Sequence, residues 1–298
     1  MSAPLIATAA ACGFAVSTSL QHRAASRVPQ ASGAAGLMRR LASTPMWLAG
    51  SALGLVSFGL HATALHLGAL ALVQPLMLCG VVLAVPVRAG LERRTPHREE
   101  FLAVAMTVLG LACFLAATHL AQGPGAPASD RALVACGVVL AIFLVLVGLS
   151  RADHRAGSRA ALLGAAAGVV FGAMAGLIKF VANDLSASGW AALGTWRPWV
   201  LVVAGLTAVS TNQRAFHSGR LADSMPILNV VNVAVAMLFG WFVFDESPVQ
   251  GPVSLAVQLG AAVLVTAGLV WIARLDPADA EDATDEAVAE PARRRSAG

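Results

Sequence analysis

Apolar residues run along this chain in blocks of about twenty, the length at which a helix crosses the hydrocarbon core of a bilayer. The blocks cover 4–20, 46–67, 68–87, 101–118, 132–149, 160–182, 199–216, 225–244 and 253–273. This pattern predicts an all-α polytopic membrane protein with nine transmembrane helices. The two long gaps, 21–45 and 183–198, are rich in Ala, Ser and Gly and carry too little pattern to form a domain. Residues 276–298 differ, with seven acids followed by Arg293, Arg294 and Arg295, and read as a solvated, disordered tail.

Composition agrees. A chain that is 57% hydrophobic and 12% charged has more apolar surface than one soluble core can hide. The start, MSAPLIATAAACG, has no basic n-region, so the first block is expected to stay as a helix. Cys12, Cys79, Cys113 and Cys136 fall in four different blocks without paired spacing, as small core residues do.

Charge orients the helices, because cytoplasmic loops collect Lys and Arg. If nine helices alternate, Arg23, Arg27, Arg39, Arg40, Arg88, Arg93, Arg94, Arg98, Arg151, Arg155, Arg159, Arg220, Arg274 and the tail arginines share one face, against Arg131 and Arg197 on the other. The expectation is an inner-membrane protein with its N-terminus outside and its C-terminus cytoplasmic. Trp47, Trp196, Trp199, Trp241 and Trp271 lie near block ends, where indoles favour the interface.

The chain also resembles itself. ALHLGALALVQPLML (64–78) aligns without gaps on AFHSGRLADSMPILN (215–229). Ala64, His66, Gly68, Leu70, Ala71 and Pro75 match Ala215, His217, Gly219, Leu221, Ala222 and Pro226. The block order repeats as well, which divides the chain into a first repeat (1–120), a linking helix with its loops (121–159), a second repeat (160–275) and the tail (276–298). Four helices plus one linker make an odd number, so the second repeat enters the membrane inverted. Many secondary transporters are built on such inverted repeats around a shared site; packing alone is the other reading.

These residues resemble the drug/metabolite transporter superfamily with its EamA-like repeats. The resemblance rests on Pro75 and Pro226 after each tight turn, on NQRAFHSG (212–219), on FGAMAGLIK with its late lysine, and on LGAAVLVTAG near the end of the second repeat. Typical members have ten helices. The nine-helix order here, with WLAG (47–50) leading into LALVQPL, is similar to the NIPA-type magnesium transporters of that superfamily. Where such a protein would place an acid on the second helix, this chain reads Ser57-Phe58-Gly59.

Ionisable and amide side chains inside a span are costly and mark functional candidates. Lys179 is the lone lysine, and at 100° per residue it shares a helix face with Gly164, Gly168, Gly172 and Gly176. Small residues at this spacing let a second helix approach closely, so the amine points at protein or a cavity; alternatively it snorkels to the nearby interface. Asn229 and Asn232 sit three apart on the eighth helix and read as a substrate contact or an interhelical hydrogen bond. Asn212 and Gln213 on the seventh helix, His61 on the second, Gln74 beside Pro75, and Gln21 after the first helix complete the substrate-binding candidates. Arg214 snorkels inward in the simplest reading. Pro75 and Pro226 mark a helix break or gate, unless each lies in the first helical turn, where proline costs nothing.

Soluble-enzyme signatures, metal-ligand spacings and basic patches with interleaved aromatics are missing, so the sequence points to no enzyme, cofactor, metal site or nucleic acid. The resulting expectation is a secondary-active exporter of a small organic metabolite or drug-like solute by alternating access. Lys179, His61, His66 or His217 would carry coupled protons. A magnesium carrier of the NIPA type, using oxygens of Asn229, Asn232 and Gln74, is the alternative. The partners expected are the solute and the lipid bilayer; a homodimer is left open.

Overall fold

A computed structural model describes residues 3–25, 43–92, 95, 97–118, 129–246 and 251–275. Among these residues the chain is helical, with no strand. The helices are α1 (Ala3–Ala25), α2 (Pro45–Leu67), α3 (Leu70–Glu92), α4 (Arg98–Ala117), α5 (Ser129–Ala152), α6 (Ala156–Ser188), α7 (Arg197–Phe216), α8 (Leu221–Phe244) and α9 (Gly251–Arg274). A short 3₁₀ turn, Gly189–Gly194, joins α6 to α7. The segments 26–42, 119–128 and 276–298 lie outside the described residues, as do the expectations made for them.

Among the described residues, eight helices are long and apolar enough to cross a membrane, which makes this a helical membrane protein. The exception is α7. It has 20 residues, the length of a span, but Arg197, Thr207, Ser210, Thr211, Asn212, Gln213 and Arg214 dilute its apolar content.

A second difference concerns α6, expected over 160–182 and observed over 33 residues. At 1.5 Å per residue it is about 50 Å long, well beyond the ~30 Å hydrocarbon thickness. It continues past Asn183 and Asp184 because both side chains are paired, with His66 and Arg197 respectively. Lys179 therefore lies nine residues before the helix end, and simple snorkelling from a frayed terminus does not describe it.

Helix α6 is the spine of the molecule. It packs on α2, α5, α7 and α8. Its glycine stripe is what admits α8: a Cβ at Gly164, Gly168 or Gly172 would sit 2.6 Å from the carbonyl oxygen of Ser224, Leu228 or Asn232, and one at Gly176 would strike the Phe239 ring. Backbone contact of this closeness is available only to small residues. In the first half, α1 likewise packs on α2 and α3, and a Cβ at Gly80 would meet the Ala11 carbonyl at 2.9 Å.

The two halves meet through α3 against α8 and α4 against α9. Ser254 and Gln258 of α9 donate to the Ala117 carbonyl at the end of α4 (2.7 and 3.3 Å). The main apolar core lies between these layers, around Leu65, Leu70, Val73, Phe180, Phe239, Val243 and Phe244. The Phe180 and Phe244 rings pack with their centres 4.8 Å apart, tilted at 42°.

Both helices run unbroken through the prolines at their sixth positions, Pro75 in α3 and Pro226 in α8. Neither proline is in the first turn. Each lacks the N–H that a helix would aim at the carbonyl four residues back, and both are fully buried.

Candidate functional site

The chain places its one lysine at a junction of both halves. From α6, the Lys179 ammonium donates to Oε1 of Glu246 at 2.5 Å and to the Gly68 carbonyl at 2.8 Å. Glu246 uses its other oxygen, Oε2, to accept the Leu70 N–H at 2.8 Å. Gly68 lies in the tight turn between α2 and α3, and Leu70 is the first residue of α3. The amine also stands 5.0 Å from the centre of the Phe244 ring, a cation–π arrangement.

Local structure explains how the carboxylate arrives there. Helix α8 stops at Phe244 because Asp245 takes a left-handed conformation (φ 53°). That turn carries Glu246 back against its own helix, where its N–H bonds the Gly240 carbonyl at 3.1 Å. A side chain at position 240 would collide with Oε2, so Gly240 makes the room. The Leu70 N–H is one of the orphan donors at a helix start, and a carboxylate suits the positive end of α3. Glu246 is 4% exposed and Lys179 12%.

Lys179 is therefore not an unopposed charge: the carboxylate of Glu246, buried just beyond α8, is its counter-ion. Sequence reasoning misses Glu246 because the stretch Phe244-Asp245-Glu246-Ser247-Pro248 reads as a loop. The signal that points to it is charge balance: a single buried lysine needs a carboxylate, and few are available at its end of the bundle.

Further contacts gather at the same end. His66 of α2 and Asn183 of α6 are joined at 2.6 Å. Arg197 of α7 holds both oxygens of Asp184 at 2.7 Å and covers the Phe180 ring at 4.7 Å. Arg131 of α5 pairs with Asp245 at 2.6 Å, with both side chains about half exposed.

The remaining candidates do not join this cluster. His61 faces inward on α2 with 8% exposure, and its Nδ1 has no hydrogen-bond partner. Asn212 on α7 has an equally orphaned Oδ1. The two occupy equivalent positions of the internal alignment, 151 residues apart. Gln74 is buried on α3, while Gln213 and Arg214 are exposed. Asn229 turns its amide to its own helix, donating to the Met225 carbonyl at 2.9 Å. Asn232 is half-buried, its backbone against Gly168 and Gly172. Gln21 donates to Ser17, whose hydroxyl donates to the Gly50 carbonyl, tying α1 to α2. No hydrogen bond links Gln74, Asn229 and Asn232 to one another among the described residues.

Fold and site together define a polytopic helical membrane protein in which a buried ion pair of the second half is hydrogen-bonded to the α2–α3 turn of the first. An uncharacterized protein of Corynebacterium glutamicum is 26% identical to it over 251 residues, 82% of this chain and 85% of the relative. No protein-family profile matches the chain, and no solved structure matches it.

Proposed function

We propose that this protein is a secondary-active carrier of the drug/metabolite transporter type, with all nine helices spanning the inner membrane and two inverted four-helix repeats. The observation that carries the reading is the mirrored packing. Helix α1 contacts α2 and α3 as α6 contacts α7 and α8, while the third and fourth helices of each half meet their own counterparts, α3 on α8 and α4 on α9. Two related bundles facing each other can rock about a common site, which is the working principle of inverted-repeat carriers.

The cargo is a small organic solute, moved outward, with the arginine-rich ends of the helices in the cytoplasm. His61 and Asn212 supply its polar contacts: their orphaned atoms are costly inside a membrane protein unless something engages them, and their equivalent positions in the two repeats support a role for one in each gate. Coupling to protons falls to the histidines or to the Lys179–Glu246 pair.

The test is flux in proteoliposomes under an imposed proton gradient, screened over small metabolites and divalent salts. Solute counterflow from folded protein is expected. A preparation that is folded and moves magnesium alone would replace this reading with the cation alternative. One that moves nothing would end both.

A further inference from the structure

We infer that Glu246 is the moving half of a latch that closes the Lys179 end of the molecule by clasping the first half to the second. The inference deepens the carrier reading and rests on it for its purpose, although the latch itself is a matter of geometry.

Three partners converge on one carboxylate-and-amine unit: α6 through Lys179, the α2–α3 turn through Gly68 and Leu70, and the end of α8 through Gly240. The turn belongs to the first half and the other two to the second. Separating the halves at this end must break the Gly68 and Leu70 bonds together. The flanking pairs behave differently. Arg197–Asp184 and Arg131–Asp245 each join helices outside the first half and can survive its departure. Among the described residues at this end, His66–Asn183 adds a second clasp of the same kind.

The chemistry suits reversible closure. A buried ion pair is a poor source of net stability, because desolvating both charges offsets most of their attraction. The same feature makes it releasable: when the end opens and water enters, each ion regains hydration as it loses its bond to the α2–α3 turn. An apolar plug in this position would gain nothing on opening and would hold the end shut.

Glu246 is also placed to move. It belongs to no helix and follows a residue in the left-handed region, a conformation sparsely used by residues with a side chain. Relaxing Asp245 would swing the carboxylate away from Leu70 without unwinding α8.

The experiment uses the full chain with its four cysteines replaced by alanine and a reporter, Val73→Cys, three residues beyond Leu70 and fully buried. A membrane-impermeant maleimide is applied to intact cells and, separately, to inverted vesicles. In the parent, labelling should be slow from both sides. Glu246→Gln should raise it about tenfold from the outer side alone. The double variant Lys179→Met/Glu246→Gln, which leaves no lone buried charge and guards against misfolding of the single one, should do the same. Unchanged labelling in a folded double variant would overturn the latch, and so would an equal rise from both sides, the sign of general loosening. Solute flux in the same proteins separates the two ideas: labelling that responds without flux in the parent defeats the carrier and leaves the latch, whereas flux with unresponsive labelling does the reverse.

Discussion

Lys179 and Glu246 stand 67 residues apart in the chain with their charged atoms at 2.5 Å, and each also holds one backbone group of the turn that opens α3. Removing one member strands the other. Lys179→Met should cost about 3–5 kcal/mol, the usual penalty for an uncompensated buried charge. Thermal unfolding in detergent checks this, and adding Glu246→Gln should return much of the loss.

The α6–α8 contact admits no side chain. Gly172→Leu would drive a Cβ into the Asn232 carbonyl and force the helices apart, for a loss of at least ~1–3 kcal/mol. Gly59→Ala, at a site with open space, should be silent. Melting temperatures of the two purified variants make the comparison.

The orphaned atoms of His61 and Asn212 separate stability from function. Replacing a buried polar group that has no partner removes a desolvation cost of about 1–3 kcal/mol. His61→Leu and Asn212→Leu should therefore leave the protein as stable or more stable while lowering flux. A variant that gains stability and keeps full flux would strip that residue of its solute contact.

Asp153 opens α6 on the arginine-rich side. Its carboxylate accepts the Ser158 hydroxyl and the Arg155 N–H, and these bonds, the hydroxyl first, hold its pKa below the ordinary 3.8. A lowered folded-state value means that the contribution is complete above the ordinary value and fades as pH falls through the folded one. Asp153→Ala should lower the melting temperature at neutral pH, and the difference from the parent should shrink in strong acid. Melting curves at about pH 7 and about pH 3 provide the check.

Orientation has a direct readout. Ser188→Cys, at the Lys179 end, should react with an impermeant thiol reagent in intact cells, and Ser158→Cys only in inverted vesicles. The opposite result would turn the protein over in the membrane.

The helices are legible in the sequence because a span in lipid leaves a block of apolar residues that few other structures require. Where side chains satisfy each other, that signal fails: Asn183 and Asp184 look like a helix end, yet their partners on α2 and α7 let α6 continue to Ser188. The face of Lys179 is equally legible, since its glycines recur with the helical period and meet α8. Its counter-ion is not. Glu246 reaches the site through one left-handed residue and a return over Gly240, and a sequence carries no mark of which acid a turn will fold inward. The orphan status of His61 and Asn212 is similarly hidden, because it depends on what neighbouring helices fail to offer.

The order of synthesis gives the ion pair a history. Lys179 leaves the ribosome first, and at 5–20 residues per second its counter-charge follows only after about 3–13 s. For that interval a bare amine sits on a helix already committed to the membrane, able to shelter only at the headgroups or beside a borrowed acid. Nascent chains truncated between Lys179 and Glu246 should be the ones that the cell's membrane quality control removes fastest.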